Sequence, residues 1–386
     1  MANTLTNLIP TIYRALDTVS RELVGFIPAV FKNADAAQVA KGQTVTYPVT
    51  PAATAVDIVP GVTAPDNGDN VMGDATLTIT KSRMVPIRWN GEEQRGVRHT
   101  GLYGSILQDQ FTQAFRTLCN EIEADLGLLY KTTSRAYGTA GTTPFGTKDD
   151  LSDFANIRKI LVDNGAGLSD LRLILDTTAG TNLRSKMSNL FKVNEAGSPE
   201  MLRTGSLGTV EGLAIGESAG VAYHTKGTGA NYQTNLLAGY DIGDTSIAID
   251  TGNGTVLAGD VLSFTGDGNK YVNATALAAG SVVLAKPGLR AALADGVAMT
   301  VGGSYRANMA FRKNAIHLVT RAPAMPVDAA GNAIDMADDV AYVTDPVSGL
   351  VFQICLYRQY KQIKYEVGIA WGAANTKAEH TAILLG

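Results

Sequence analysis

The segment from Gly42 to Asn90 sets the tightest limit on what this chain can fold into. Thr44-Val45-Thr46-Tyr47-Pro48-Val49 alternates polar with apolar residues, and Ala75-Thr76-Leu77-Thr78-Ile79-Thr80 does the same. Alternation at period two marks a strand with one covered face. Between the two runs, Pro60-Gly61 through Pro65-Asp66-Asn67-Gly68 is a series of turn formers. The pattern predicts a two-stranded arm over 42–90 with a long tip. Too few apolar residues are present for a core of its own, and an isolated ribbon is marginal in water. Such an arm needs a surface outside itself.

Helical periodicity begins after the arm. Ser105-x-x-Gln108 is a capping-box pattern. Behind it Leu107, Phe111, Phe115, Leu118, Ile122, Leu126 and Leu129 recur at spacings of three and four, which predicts one long helix over 105–131. Asp109, Arg116, Asn120 and Glu123 are assigned to its polar face. A shorter stripe of Ile12, Leu16, Val19 and Leu23 precedes the arm, ending near Gly25 and closed off by Pro28.

Residues 150–223 read as mixed helix and strand. Phe154, Ile157, Ile160 and Leu161 mark a helix stopping at Asn164-Gly165. Leu171–Leu175 is a buried strand, a short helix follows around 181–190, and a turn-rich strand segment runs over 205–221. From His224 to Tyr305 only short strands and tight turns remain. Thr245-Ser246-Ile247-Ala248-Ile249 alternates, while Gly259-Asp260, Gly266-Asp267-Gly268-Asn269 and Asp295-Gly296 punctuate at the spacing of a small barrel or sandwich. This stretch reads as an inserted β domain. The earlier pattern resumes at Met309–Val319 and continues in a β-rich stretch over 341–371, so the fold class is α+β.

Composition narrows function by exclusion. Lys plus Arg is 32 against 36 Asp plus Glu, a net charge of −4, which argues against a general nucleic-acid binder. Cys119 and Cys355 lie far apart within apolar patterns and read as buried free thiols, which fits a reducing compartment. Met1 to Pro10 has no basic and apolar leader pattern, and no apolar run nears the roughly 20 residues that span a bilayer. The expectation is a protein that stays in a cytoplasm without touching a membrane.

Gly216-Glu217-Ser218-Ala219-Gly220 matches the G-x-S-x-G nucleophile elbow, which needs a strand before the serine and a helix after it. Thr209 to Ile215 supplies the strand, but Val221-Ala222-Tyr223-His224 does not continue as a helix. No His-Gly-Gly oxyanion segment lies upstream, and no acid is marked as partner to His317 or His380, so a serine esterase using Ser218 is the weaker alternative. His99, His224, His317 and His380 are scattered and match no zinc spacing. The glycine pairs at 227/229, 252/254 and 266/268 miss the dinucleotide fingerprint, and Asp66-Asn67-Gly68-Asp69 lacks the ligand alternation of a calcium loop. No catalytic, cofactor or metal residue is assigned. The charge feature that stands out is Lys81, Arg83, Arg88, Arg95 and Arg98, either a solvated strand face or a set of ion pairs to a neighbouring subunit.

The order of these elements resembles one family, the tailed-bacteriophage major capsid proteins of the Hong Kong 97 fold. Leu207-Gly208-Thr209-Val210-Glu211-Gly212-Leu213-Ala214-Ile215 is similar to their glycine-punctuated axial strand segment. Asn308-Met309-Ala310-Phe311-Arg312-Lys313-Asn314-Ala315-Ile316 resembles a recurrent strand of these coats, and Asp345-Pro346-Val347-Ser348-Gly349-Leu350 with Tyr365 to Gly372 resembles their C-terminal strands. The insertion at 224–305 looks like that of a podophage coat subfamily.

The resemblance implies an N-terminal arm at 1–41, an extended β loop at 42–90 and a peripheral domain at 91–149 carrying the spine helix 105–131. It implies the first part of an axial domain at 150–223, the inserted barrel-like domain at 224–305, and at 306–386 the second axial part with C-terminal strands returning to the peripheral domain. Function by resemblance is a virion shell of pentamers and hexamers around double-stranded DNA, assembled in a bacterial cytoplasm with scaffolding and portal proteins. An encapsulin-type shell shares the fold and stays open. Lys81, Arg83, Arg88, Asp241 and Asp244 are the expected contacts between subunits.

Overall fold

Burial of the predicted helical stripe organises the first half of the chain. The computed structural model describes residues 25–49, 55–58, 60–63, 73–99, 103–187, 204–205, 207–329, 334–345 and 348–386. The stripe expected at Ile12–Leu23 and the Asp66–Asp69 turn lie outside these residues. A short helix α1 (Phe26–Ala29) leads into β1 (Phe31–Val39), and the hairpin β2 (Thr44–Val49) and β3 (Gly73–Thr78) follows. Then come β4 (Lys81–Asn90), α2 (Gly91–His99) and the long α3 (Tyr103–Gly127), which tightens into a 3-10 turn at Leu128–Thr132. Pro28 sits inside α1 instead of ending a helix, at a first-turn position where no N–H partner is needed.

Helix α3 buries Leu107, Phe111, Phe115, Leu118, Ile122 and Leu126 as the spacing predicts. Its start differs. Tyr103 is already helical because its ring packs edge-on to Trp89, 5.5 Å between centroids, so Ser105 lies within the first turn rather than at the cap.

The middle of the chain adds β5 (Arg135–Tyr137), α4 (Ser152–Asp163), β6 (Leu171–Leu175), α5 (Thr177–Lys186), β7 (Thr209–Val210), β8 (Leu213–Glu217) and β9 (Tyr223–His224). Helix α5 begins four residues earlier than the sequence suggested, because the Asp176 carboxylate accepts from the amides of Thr178 and Ala179 and caps it. The segment Thr209 to Ile215 is a hairpin, not one strand. Glu211 and Gly212 both have positive φ, 51° and 78°, the turn conformation that matches strand twist.

The insertion contributes β10 (Tyr232–Thr234), β11 (Ser246–Asp250), β12 (Val261–Phe264), β13 (Lys270–Ala278), β14 (Ser281–Leu284) and β15 (Ala298–Val301). They pair in the order β12-β15-β10-β11-β14-β13, and β13 pairs back onto β12. All these pairings are antiparallel, so the ring closes into a barrel with no open edge. Tyr232, Ile247, Leu262, Phe264, Tyr271, Val282 and Leu289 fill it.

The chain leaves through β16 (Tyr305–Arg312), β17 (Ile316–Pro323), β18 (Asp339–Thr344), β19 (Val351–Gln359), β20 (Gln362–Asn375) and β21 (Thr381–Leu385). One sheet runs β1-β17-β20-β19-β18, with β4 also paired to β20, and α3 lies across it. Phe111 meets Tyr365 and Phe115 meets Phe352 at ring-centroid distances of 5.7 and 4.9 Å. Strand β13 of the barrel also pairs with β5, so the barrel continues into the order β5-β21-β16-β6-β8-β7, the part of the sheet that carries α4 and α5 on a separate core around Phe145, Phe154, Leu173 and Leu183.

Three sequence expectations change here. Lys81–Asn90, expected as part of the arm, pairs with β20 along its whole length, from Lys81↔Trp371 to Asn90↔Gln362. Strands β17 and β18, expected in the axial part, build the sheet under α3. The last strand, β21, does not stay with that sheet but inserts between β5 and β16. The pairings of β4 with β20, β1 with β17 and β5 with β21 join residues more than two hundred positions apart and leave no local signal.

Candidate assembly interface and the joints behind it

The arm reaches outward from a buried root. Leu77 and Ile79 are 1% and 0% exposed, packed with Val39, Val319 and Ala370. The root therefore rests on its own chain, against the expectation that the whole arm lacks internal support. Gly372 makes room for it: a Cβ there would lie 2.2 Å from the Thr78 carbonyl oxygen. Farther out the picture reverses. Val56, Ile58 and Val62 are 70%, 96% and 107% exposed. Beyond each other, β2 and β3 pair with no strand among the described residues.

The basic cluster is divided between α2, which carries Arg95 and Arg98, and β4, an edge strand paired with β20, which carries Lys81, Arg83 and Arg88. Charged residues and proline on an edge discourage unplanned pairing, and Lys81, Arg83, Pro86 and Arg88 serve that end. Lys81 pairs with Asp125 at 2.7 Å and Arg83 with Glu121 at 3.5 Å, both on α3 of the same chain. Arg88 and Arg95 are exposed, and Arg98 lies over the Tyr103 ring at 5.3 Å. Asp241 and Asp244 close a turn before β11, where the Asp241 amide donates to the Asp244 carboxylate at 2.9 Å. Beside them Leu237 and Ile242 are strongly exposed. The structure thus sets the two charge groups on different elements, β4 and the barrel, and does not bring them together.

The serine of the elbow motif has another task. Ser218 is buried, and its hydroxyl donates to Glu123 Oε1 at 2.6 Å while accepting from the Gly220 amide at 3.0 Å. A turn and then β9 follow it, so the strand-to-helix geometry of a nucleophile elbow is missing at this position. Glu123, expected on the polar face of α3, is buried instead. It is 6% exposed and also accepts from the amides of Phe26 (2.8 Å) and Ile27 (3.0 Å). These are the free N–H groups at the start of α1, which a carboxylate satisfies well. Burial raises its carboxyl above the usual range, against the lowering effect of the Ser218, Phe26 and Ile27 hydrogen bonds. One side chain thereby ties α1, α3 and the β8–β9 turn together. The signal was present: Glu123 lies four residues after Cys119 and three before Leu126, within the buried stripe.

A second joint holds the barrel. The Asp260 carboxylate accepts from the amides of Gly227 and Leu257, and faces His224 Nε2 at 2.8 Å. With Nε2 carrying the proton toward that carboxylate, Nδ1 accepts from the Tyr130 hydroxyl, also at 2.8 Å. Tyr305 donates to the Gly259 carbonyl at 2.6 Å. Burial pushes the Tyr130 phenol up to about 12, with Asp260 adding to it, and raises Tyr305 further. Both phenols stay protonated donors. The joint runs from the end of α3 through β9 into the barrel, and its polar atoms are engaged with one another.

Elsewhere, among the described residues no three His, Cys, Asp or Glu side chains gather as a metal site, and no helix is long and apolar enough to cross a membrane. Cys119 and Cys355 are both buried and unpaired, and burial raises both thiols, that of Cys355 to about 11.

No protein-family model matches the chain, and no curated protein matches it. Solved structures give distant likenesses over nearly its full length. The capsid of the cyanophage P-SCSP1u is 11% identical, with a TM-score of 0.48 over 94% of this chain and 88% of that one. The mature capsid of bacteriophage PhiM1 is 10% identical, with a TM-score of 0.43 over 94% and 86%. The virus-like particle from Pyrococcus furiosus is 8% identical, with a TM-score of 0.42 over 97% and 98%.

Proposed function

We propose that this chain is the major shell subunit of a tailed-bacteriophage head and performs no catalytic step. The observation that carries the reading is the arm: a paired ribbon with a buried root and exposed apolar residues at Val56, Ile58 and Val62. Apolar groups so placed are stabilised by the surface of another subunit. Element order supports the same reading, with the arm followed by the spine helix α3, the helix-bearing sheet and the inserted barrel.

In this account copies form pentamers and hexamers on an icosahedral lattice with scaffolding and portal proteins. The shell assembles in a bacterial cytoplasm, becomes the virion capsid and encloses double-stranded DNA. A net charge of −4 suits a wall that contains DNA without gripping it through counterion release. Lys81, Arg83, Arg88, Asp241 and Asp244 take their place at contacts between copies, with Arg83, Arg88 and Asp241 exposed and Lys81 and Asp244 half-buried.

The test removes the arm's reach and keeps its root. Val49 faces Gly73 in the hairpin register, so residues 50–72 can be replaced by a two-residue Asn-Gly turn. The shortened chain is expected to keep the melting behaviour of the full chain and to lose fast-sedimenting particles. Full-size particles from the shortened chain would remove the arm from the account.

A further inference from the structure

The arm's root has a second support besides its apolar seat. His317 on β17 is flanked by Phe31 of β1 and Tyr47 of the arm strand β2, each with its ring centroid 4.8 Å from the imidazole. The Tyr47 ring stands edge-on at 73°. His317 Nε2 lies 3.1 Å from the Asn314 carbonyl, which can only accept, so Nε2 carries the proton of the neutral ring. Nδ1 is then the bare nitrogen. It is buried without a hydrogen-bond partner, as is the Tyr47 hydroxyl.

We infer that His317 is an acid-sensitive seat for the arm: protonation at Nδ1 loosens the hairpin β2–β3 from the body of its own chain. A proton on Nδ1 creates a charged donor in a place that offers it no acceptor, and a buried unpaired donor is costly. The surroundings give no relief. Asn314 contributes its carbonyl to the other nitrogen, β1 brings the Phe31 ring, the arm brings the phenol of Tyr47, and β20 brings Ala374. The charge acting on the ring is the cation of Lys377. Burial first and Lys377 second hold this imidazole below its ordinary value, against an opposing effect of the Asn314 carbonyl. The sign follows: a depressed imidazole favours the neutral, seated ring above its ordinary range, and that support is lost as pH falls through the folded value. Leu77 and Ile79 do not titrate, so the root weakens on the Tyr47 side and is not stripped altogether.

The inference needs no shell, so it stands or falls apart from the function proposed above. Hydrogen–deuterium exchange of the full chain, corrected for intrinsic rates, is compared at about pH 7.5 and about pH 5, either side of the ordinary imidazole value. Peptides covering 44–49 and 73–78 are expected to exchange severalfold faster in acid, while barrel peptides over 246–250 and 298–301 hold steady. His317→Phe keeps a ring that cannot take a proton, and His317→Gln supplies a second neutral side chain should the first fold poorly. In either, the acid response of the arm is expected to vanish. An arm whose exchange does not change with pH would overturn the inference, and so would an equal rise in arm and barrel. The same acid response surviving in both variants would do so too. A response from the Glu123 joint would appear instead at Phe26–Val30 and persist in the His317 variants.

Discussion

Glu123 shows how a single buried acid can set the geometry of several elements. Its carboxyl is held above the ordinary range mainly by burial, so its contribution to stability is largest in acid and declines as pH rises through the folded value. Glu123→Gln removes the titration while keeping shape and one acceptor. The stability advantage of the wild type over this variant should shrink between about pH 4 and about pH 7, read as the difference in urea midpoints. A widening difference would contradict the assignment. Ser218→Ala strips the hydroxyl that serves both Glu123 and the Gly220 amide, and should cost about 1–2 kcal/mol in urea unfolding. Gly25 is equally constrained: its φ is +125°, and a Cβ would lie 2.4 Å from Glu123 Oε1. These roles were hidden in the sequence for one reason. A glutamate beside an apolar stripe looks solvated until the partner that buries it, here α1 and the β8–β9 turn, is in place.

At the scale of elements, the fit of arm to body rests on Gly372. Gly372→Ala should lift the root from β20, costing about 1–3 kcal/mol by overpacking and speeding hydrogen exchange over 73–78. Unchanged exchange there would mean that the root yields without strain. What could be read beforehand was local: the α3 stripe from Leu107 to Leu126, the alternation of β2 and β3, and the turn-punctuated strands between His224 and Tyr305. What could not be read was partnership. Nothing within Lys81–Asn90 sets it apart from the arm before it, and only the 10-residue register with β20 shows an edge strand. Phe31 against His317 and Ala382 against Arg135 are parallel pairings between distant segments, and no periodicity announces them. Of the contacts chosen for charge, Lys81 and Arg83 turned out to have partners on α3, because the strand carrying them packs beneath that helix.

On the scale of the whole molecule, the chain divides its burial unevenly. The sheet under α3, the helix-bearing sheet and the barrel each own a core, whereas the outer arm owns none. The barrel enters and leaves at one point, where His224 pairs with Tyr305 across β9 and β16. Residues 225–304 should therefore fold when expressed alone, with one cooperative urea transition, since the ring closes on itself and its apolar side chains point inward. A molten product would show that the joint through Tyr130 and His224, or the pairing of β13 with β5, is needed to hold the barrel together. The outer arm makes the opposite prediction, because it has no such closure and, under the proposed function, depends on another copy. The most direct measurement of that dependence is negative-stain electron microscopy of the purified full chain, with and without a scaffolding partner and across a range of salt. The account predicts closed shells of uniform diameter built from rings of five and six subunits. A monodisperse monomer under every one of those conditions would contradict it.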